Sequence, residues 1–90
     1  MSARTSFTAE EARRVAEEIG IDWTAVEFDL EQFRMGMVVE LEHGLHDLLT
    51  NVTDDDPVVT GKIALAHLNE LPDYYTRLER MEEEGKDDRA

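Results

Sequence analysis

Two stripes of polar side chains at helical spacing constrain this chain more than any other feature. The first lies in Glu40-Leu-Glu-His-Gly-Leu-His-Asp47 and the second in His67-Leu-Asn-Glu-Leu-Pro-Asp-Tyr74. On a helix turning about 100° per residue, Glu40, His43 and Asp47 fall within about 60° of one another, and His67, Glu70 and Tyr74 do the same. Between the stripes runs Thr50-Asn-Val-Thr-Asp-Asp-Asp-Pro57, a segment of turn formers. If the chain folds back antiparallel about that turn, Glu40 and His67 each lie about ten residues from it, and a constant rise per residue sets both stripes at one level. The pattern predicts an all-α fold: a short N-terminal helix packed on a long antiparallel helical hairpin, with the second arm kinked at Pro72.

Start and stop signals divide the chain further. Residues 1–6 are expected to be mobile, 7–84 to form a single helical domain, and 85–90 to be a frayed acidic end. Thr8 and Glu11 form a capping box with Phe7 placed to staple the first turn, so a helix is expected from about Ala9 to Ile19, ended by Gly20. Ala12, Val15, Ala16 and Ile19 supply its core face. Asp29 and Gln32 open a second helix, expected from about Leu30 to Thr50, with Leu30, Met37, Val38, Leu41, Leu45 and Leu48 as its main apolar stripe. Arg34 interrupts that stripe and needs a carboxylate or a route to water. Gly36 and Gly44 weaken the helix by roughly 1 kcal/mol each, which is sensible where another group approaches closely. Asp56 and Pro57 start the last helix, expected to reach about Glu83, with Pro72 bending it or splitting it near Leu71. The three aspartates lack the spacing, central glycine and terminal glutamate of a calcium hand, and capping explains them more simply.

Composition bounds the function. The chain has 22 Asp and Glu against 9 Lys and Arg, a net charge of -13, and its only lysines are Lys62 and Lys86. Such a chain repels phosphate backbones, which argues against nucleic acid and for cations or basic partners. The same balance suits a salt-adapted source, where ionic strength screens self-repulsion. A domain of this size buries roughly 60% of its unfolded surface, so self-association or a protein partner is expected. There is no cysteine, which removes disulfides, thiolate metal sites and redox motifs. No apolar run approaches the roughly 20 residues of a membrane span, and Met1-Ser-Ala-Arg-Thr-Ser6 has no apolar signal core, so no membrane association and a cytoplasmic location are expected.

The candidate chemistry is metal binding. A divalent ion of the iron, manganese or zinc type accepts imidazole and carboxylate together, and Glu40, His43, His67 and Glu70 are the candidate ligands, with Asp47 and Tyr74 as outer-shell partners. Glu40-x-x-His43 matches the half-motif of ferritin-like carboxylate proteins, whereas His67-x-x-Glu70 is its reverse. Against this stands a purely structural reading, in which a Glu-His network bridges two helices. Catalysis is the least favoured: the serines, Ser2 and Ser6, sit at the extreme start, and no carboxylate pair is singled out for acid-base work. Three functions follow: a small acidic binding or interaction module holding one divalent metal, a structural component of a larger assembly such as a virus particle or protein shell, or a ferritin-like di-metal oxidase formed on dimerisation.

Several segments also look familiar: Phe7-Thr-Ala-Glu-Glu11, Glu31-Gln-Phe-Arg-Met-Gly36, Glu40-Leu-Glu-His-Gly-Leu-His-Asp47, Asn51-Val-Thr53, Gly61-Lys-Ile-Ala-Leu-Ala-His-Leu68 and Pro72-Asp-Tyr-Tyr-Thr-Arg77. Together they resemble an uncharacterised family of small prokaryotic helical proteins, a domain of unknown function. The resemblance covers roughly residues 7 to 84. It implies an intracellular, mostly helical module from bacteria, archaea or their viruses, and it assigns no activity to any position.

Overall fold

The first helix begins where its sequence signal stands. Thr8 Oγ1 accepts from the Glu11 N–H at 3.1 Å while the Glu11 carboxylate accepts from the Thr8 N–H at 3.0 Å, and Gly20 ends the helix at φ 83°, where a side chain would be strained. The structure is a computed structural model describing residues 5–89. Residues 1–4 of the expected mobile start and Ala90 lie outside the described residues. It contains α1 (Ala9–Ile19), α2 (Leu30–Glu40), α3 (Pro57–Glu70), α4 (Tyr74–Arg89) and one 3-10 turn over Leu41–His43. Among the described residues there is no strand, so the chain is all-α.

The central helix is α2, which contacts α1, α3 and α4. It starts with the Asp29 carboxylate accepting from the Gln32 N–H at 2.9 Å. Phe33 and Met37 on α2 are fully buried against Ala12 and Ala16 of α1, Ala64 and Leu68 of α3 and Tyr75 of α4. Each large apolar side chain so buried contributes roughly 1.5–3 kcal/mol. Trp23 and Phe28, from the α1–α2 connection, meet edge to face at 5.9 Å, and Trp23 stands 6.4 Å from the Phe33 ring. Arg34 escapes the apolar stripe by pairing with Glu31 and donating to the Phe7 carbonyl at 3.2 Å.

Two expectations need correction. The helix that was to run to Thr50 stops at Glu40, tightens through the 3-10 turn, and gives way to a loop. Gly44 lies deep against that loop: a Cβ there would stand 2.0 Å from Asp55 Oδ1 and 2.9 Å from Thr53 Oγ1. The His43 carbonyl, which continued helix would have occupied, instead accepts from the Val52 and Thr53 N–H groups. Leu45 and Leu48, read as core positions, are therefore exposed. The second correction concerns Pro72. Of the two alternatives there, a kinked helix and a split near Leu71, the chain takes the split: α3 ends at Glu70 and α4 begins at Tyr74, with Leu71 in extended backbone as residues before proline prefer. Helix α4 continues to Arg89, beyond the end expected near Glu83.

Close packing explains one helical glycine and leaves another unexplained. A Cβ on Gly36 would meet the Tyr75 ring at 2.4 Å, whereas nothing lies within 4 Å of one on Gly85. Gly36→Ala is expected to destabilise the chain by about 1–3 kcal/mol through overpacking, and Gly85→Ala to stabilise it by about 0.5–1 kcal/mol through helix propensity. Urea unfolding of the two variants checks both signs.

Candidate functional site

Among the described residues the one buried carboxylate is Glu40, the last residue of α2, which is only 4% exposed. Burying a charge is costly unless other groups satisfy it, and three aromatic or imidazole side chains from other elements supply the partners. Tyr75, in the first turn of α4, donates its hydroxyl to Glu40 Oε2 at 2.7 Å. His43, from the 3-10 turn, places Nε2 3.8 Å from Oε1, and His67, from the last turn of α3, places Nε2 3.8 Å from Oε2. These imidazole distances exceed hydrogen-bond length, so they are electrostatic approaches instead of bonds. The cluster sits where α2 ends, α3 ends and α4 begins, and two breaks in helical structure, after Glu40 and at Pro72, bring it together.

Tyr74 completes the setting. Its ring stacks on His67 with centroids 4.3 Å apart and planes 6° from parallel, and Tyr75 meets both rings edge-on. The split at Pro72 turns α4 so that consecutive tyrosines serve different partners, Tyr74 against His67 and Tyr75 against Glu40. Gln32, one helical face away on α2, donates to Thr76 Oγ1 at 3.0 Å and ties the same two helices.

The residues singled out from the sequence do not all arrive. Glu40, His43, His67 and Tyr74 meet as described. Glu70 is exposed at the end of α3 and takes no part in the contacts around Glu40. Asp47 lies in the loop, where its carboxylate accepts from the Leu49 N–H at 3.0 Å. Tyr75 is not among those candidate residues. Its position beside Tyr74, three residues after a helix-splitting proline, is the available signal, since a buried phenol hydroxyl usually finds an acceptor. Among the described residues no group of three His, Asp or Glu side chains stands ready to hold a metal ion.

Burial first, then the hydrogen bond to Glu40 and the negative charge of its carboxylate, hold the Tyr75 hydroxyl far above the ordinary phenol range. Above about pH 10 an unfolded tyrosine loses its proton while the folded one keeps it. The folded state then binds more protons, so stability falls as pH rises through that region. Tyr75→Phe leaves Glu40 Oε2 buried without its donor and is expected to cost about 1–3 kcal/mol at neutral pH. The variant should also show a shallower alkaline decline than the wild type in thermal melts taken from pH 8 to 11.

Comparison with known proteins finds no match among curated proteins and none among solved structures. A family model described as "Protein of unknown function (DUF5661)" matches residues 12–84, a span that includes Glu40, His43, His67, Tyr74 and Tyr75. The chain belongs to that family, DUF5661.

Proposed function

We propose that this chain is a small acidic binding module whose centre takes one divalent cation of the zinc, manganese or iron class at Glu40, His43 and His67. The observation that carries the reading is that two imidazole Nε2 atoms, from different elements, each stand 3.8 Å from a separate oxygen of a single buried carboxylate. Nitrogen and oxygen ligands about 2.0–2.1 Å from a tetrahedral ion are about 3.3 Å from each other. The imidazoles therefore have to move inward by at least about half an ångström to share an ion with Glu40. His43 and His67 have 54% and 37% of their side-chain surface exposed, which gives them room for that movement.

The neighbours fit supporting roles. The Tyr75 hydroxyl orients the carboxylate, and stacking on Tyr74 holds the plane of His67, as outer groups do around bound metals. Glu70 is left out of the ligand set, so the remaining coordination positions would go to water or to a group on a partner. The competing reading is a metal-free lock that joins three helix ends, with the chain working through its surface as part of a larger assembly.

Elemental analysis and metal titration of protein purified without a histidine tag separate these. One equivalent of metal per chain is expected, with affinity at least tenfold weaker in His43→Ala and His67→Ala and unchanged in Glu70→Ala. Absence of saturable uptake, or uptake indifferent to His67, would leave the lock and remove the metal centre.

A further inference from the structure

The α2–α3 loop presents an apolar surface that the rest of the chain does not cover. Leu48 is 78% exposed, Leu49 97% and Val52 71%, with Leu45 beside them at 44%. Exposed leucines scattered singly need no explanation, but four apolar side chains within eight residues form a patch of the kind that marks an interaction site. The loop that carries them is fastened at its base. The His43 carbonyl accepts from Val52 N–H at 2.6 Å and Thr53 N–H at 3.1 Å, and Asp55 Oδ1 accepts from Leu45 N–H at 2.8 Å. Asn51 and Asp54 exchange two hydrogen bonds, and Asp54 and Asp55 hold left-handed backbone at φ 52° and 60°. The loop is thus closed on itself with its leucines outward.

Charge says what covers it. Between Arg34 and Lys62 there is no lysine or arginine, while Asp47, Asp54, Asp55 and Asp56 lie on the same loop as the leucines. The hydrogen bonds that Asp47, Asp54 and Asp56 accept come from neutral amide N–H groups, so their negative charge is not cancelled there. An apolar loop that carries these carboxylates and no lysine or arginine repels a second copy of itself and an anionic lipid surface, and attracts apolar side chains flanked by cations. We infer that the α2–α3 loop docks a basic amphipathic helix of another protein, with Leu48 and Leu49 seated on its apolar face and Asp47 and Asp54 facing its lysines or arginines. The inference is independent of the metal centre, since none of the proposed ligands is part of the loop's exposed face except His43 at its root.

The probe is a synthetic helical peptide with a leucine stripe on a lysine background, titrated into the ¹⁵N-labelled full chain beside a matched peptide carrying glutamate in place of lysine. Saturable binding of the lysine peptide is expected, with amide shifts concentrated at residues 45–52. The double variant Leu48→Ser/Leu49→Ser should weaken it at least tenfold while keeping the wild-type melt, added salt should weaken it further, and the glutamate peptide should not bind. Three results would overturn the inference. One is a set of shifts spread over the acidic α4 surface and unaffected by the double variant, which is unspecific charge attraction. Another is a dimer in sedimentation that the double variant abolishes, which assigns the face to a second copy. The third is leucine-dependent binding to phosphatidylcholine vesicles, which assigns it to lipid.

Discussion

The arrangement of this protein depends on one hydrogen bond made away from water, the Tyr75 hydroxyl to the Glu40 carboxylate. A carboxylate at that position has to be satisfied or the helix end cannot be buried. Satisfying it requires α4 to return to the end of α2, and that requires the chain to break its helix after Glu70. Pro72 supplies the break, because it cannot donate a backbone hydrogen bond and restricts Leu71 before it. Gly36 then matters one turn earlier on α2, since only a residue without a side chain lets the Tyr75 ring come this close to the helix. Charge, ring and glycine form a single packing unit, and the imidazoles of His43 and His67 are gathered around it.

A consequence is that polar chemistry is concentrated where helices end instead of along their lengths. His43 belongs to a 3-10 turn, His67 to the last turn of α3 and Tyr75 to the first turn of α4. Helix ends leave carbonyl and amide groups without intrahelical partners; the starts of α1, α2 and α3 are satisfied by the side chains of Thr8, Asp29 and Asp56, and the stop of α1 by the backbone N–H of Gly20. The same economy explains the aspartate run before α3. Asp56 caps Val58 and Val59, Asp55 holds the Leu45 amide, and Asp54 pairs with Asn51, so each of the three has a structural duty.

The surface carries the opposite character. With a net charge of -13 the chain repels itself, yet the ion pairs on its helices are mostly local and exposed, such as Glu10 with Arg14 and Asp73 with Arg77. Pairs of that kind contribute little to stability. Stability comes from the apolar contacts of α2 with its three neighbours.

Local rules sufficed for much of the fold. The capping box at Thr8, the Asp29 and Asp56 caps, the stop at Gly20 and the break near Leu71 all follow from residues within a few positions of the event, and the apolar period of α1 identified its buried face. The shared side of Glu40, His43 and His67 was legible because the first two are three apart on continuous helical backbone and the third faces them across the turn. What the linear order did not decide was the end of α2. Residues 41–50 keep a helical apolar period, and only Thr53, Asp55 and the amides of Val52 and Thr53, arriving from the far side of the loop, replace helical hydrogen bonds and close around Gly44. Nor did it choose between the two tyrosines, since which ring reaches Glu40 and which stacks on His67 depends on the turn made between α3 and α4. Short-range hydrogen bonds are set by neighbours in sequence, whereas the burial of a carboxylate is decided only when distant segments meet, and that meeting is the work of the tertiary structure.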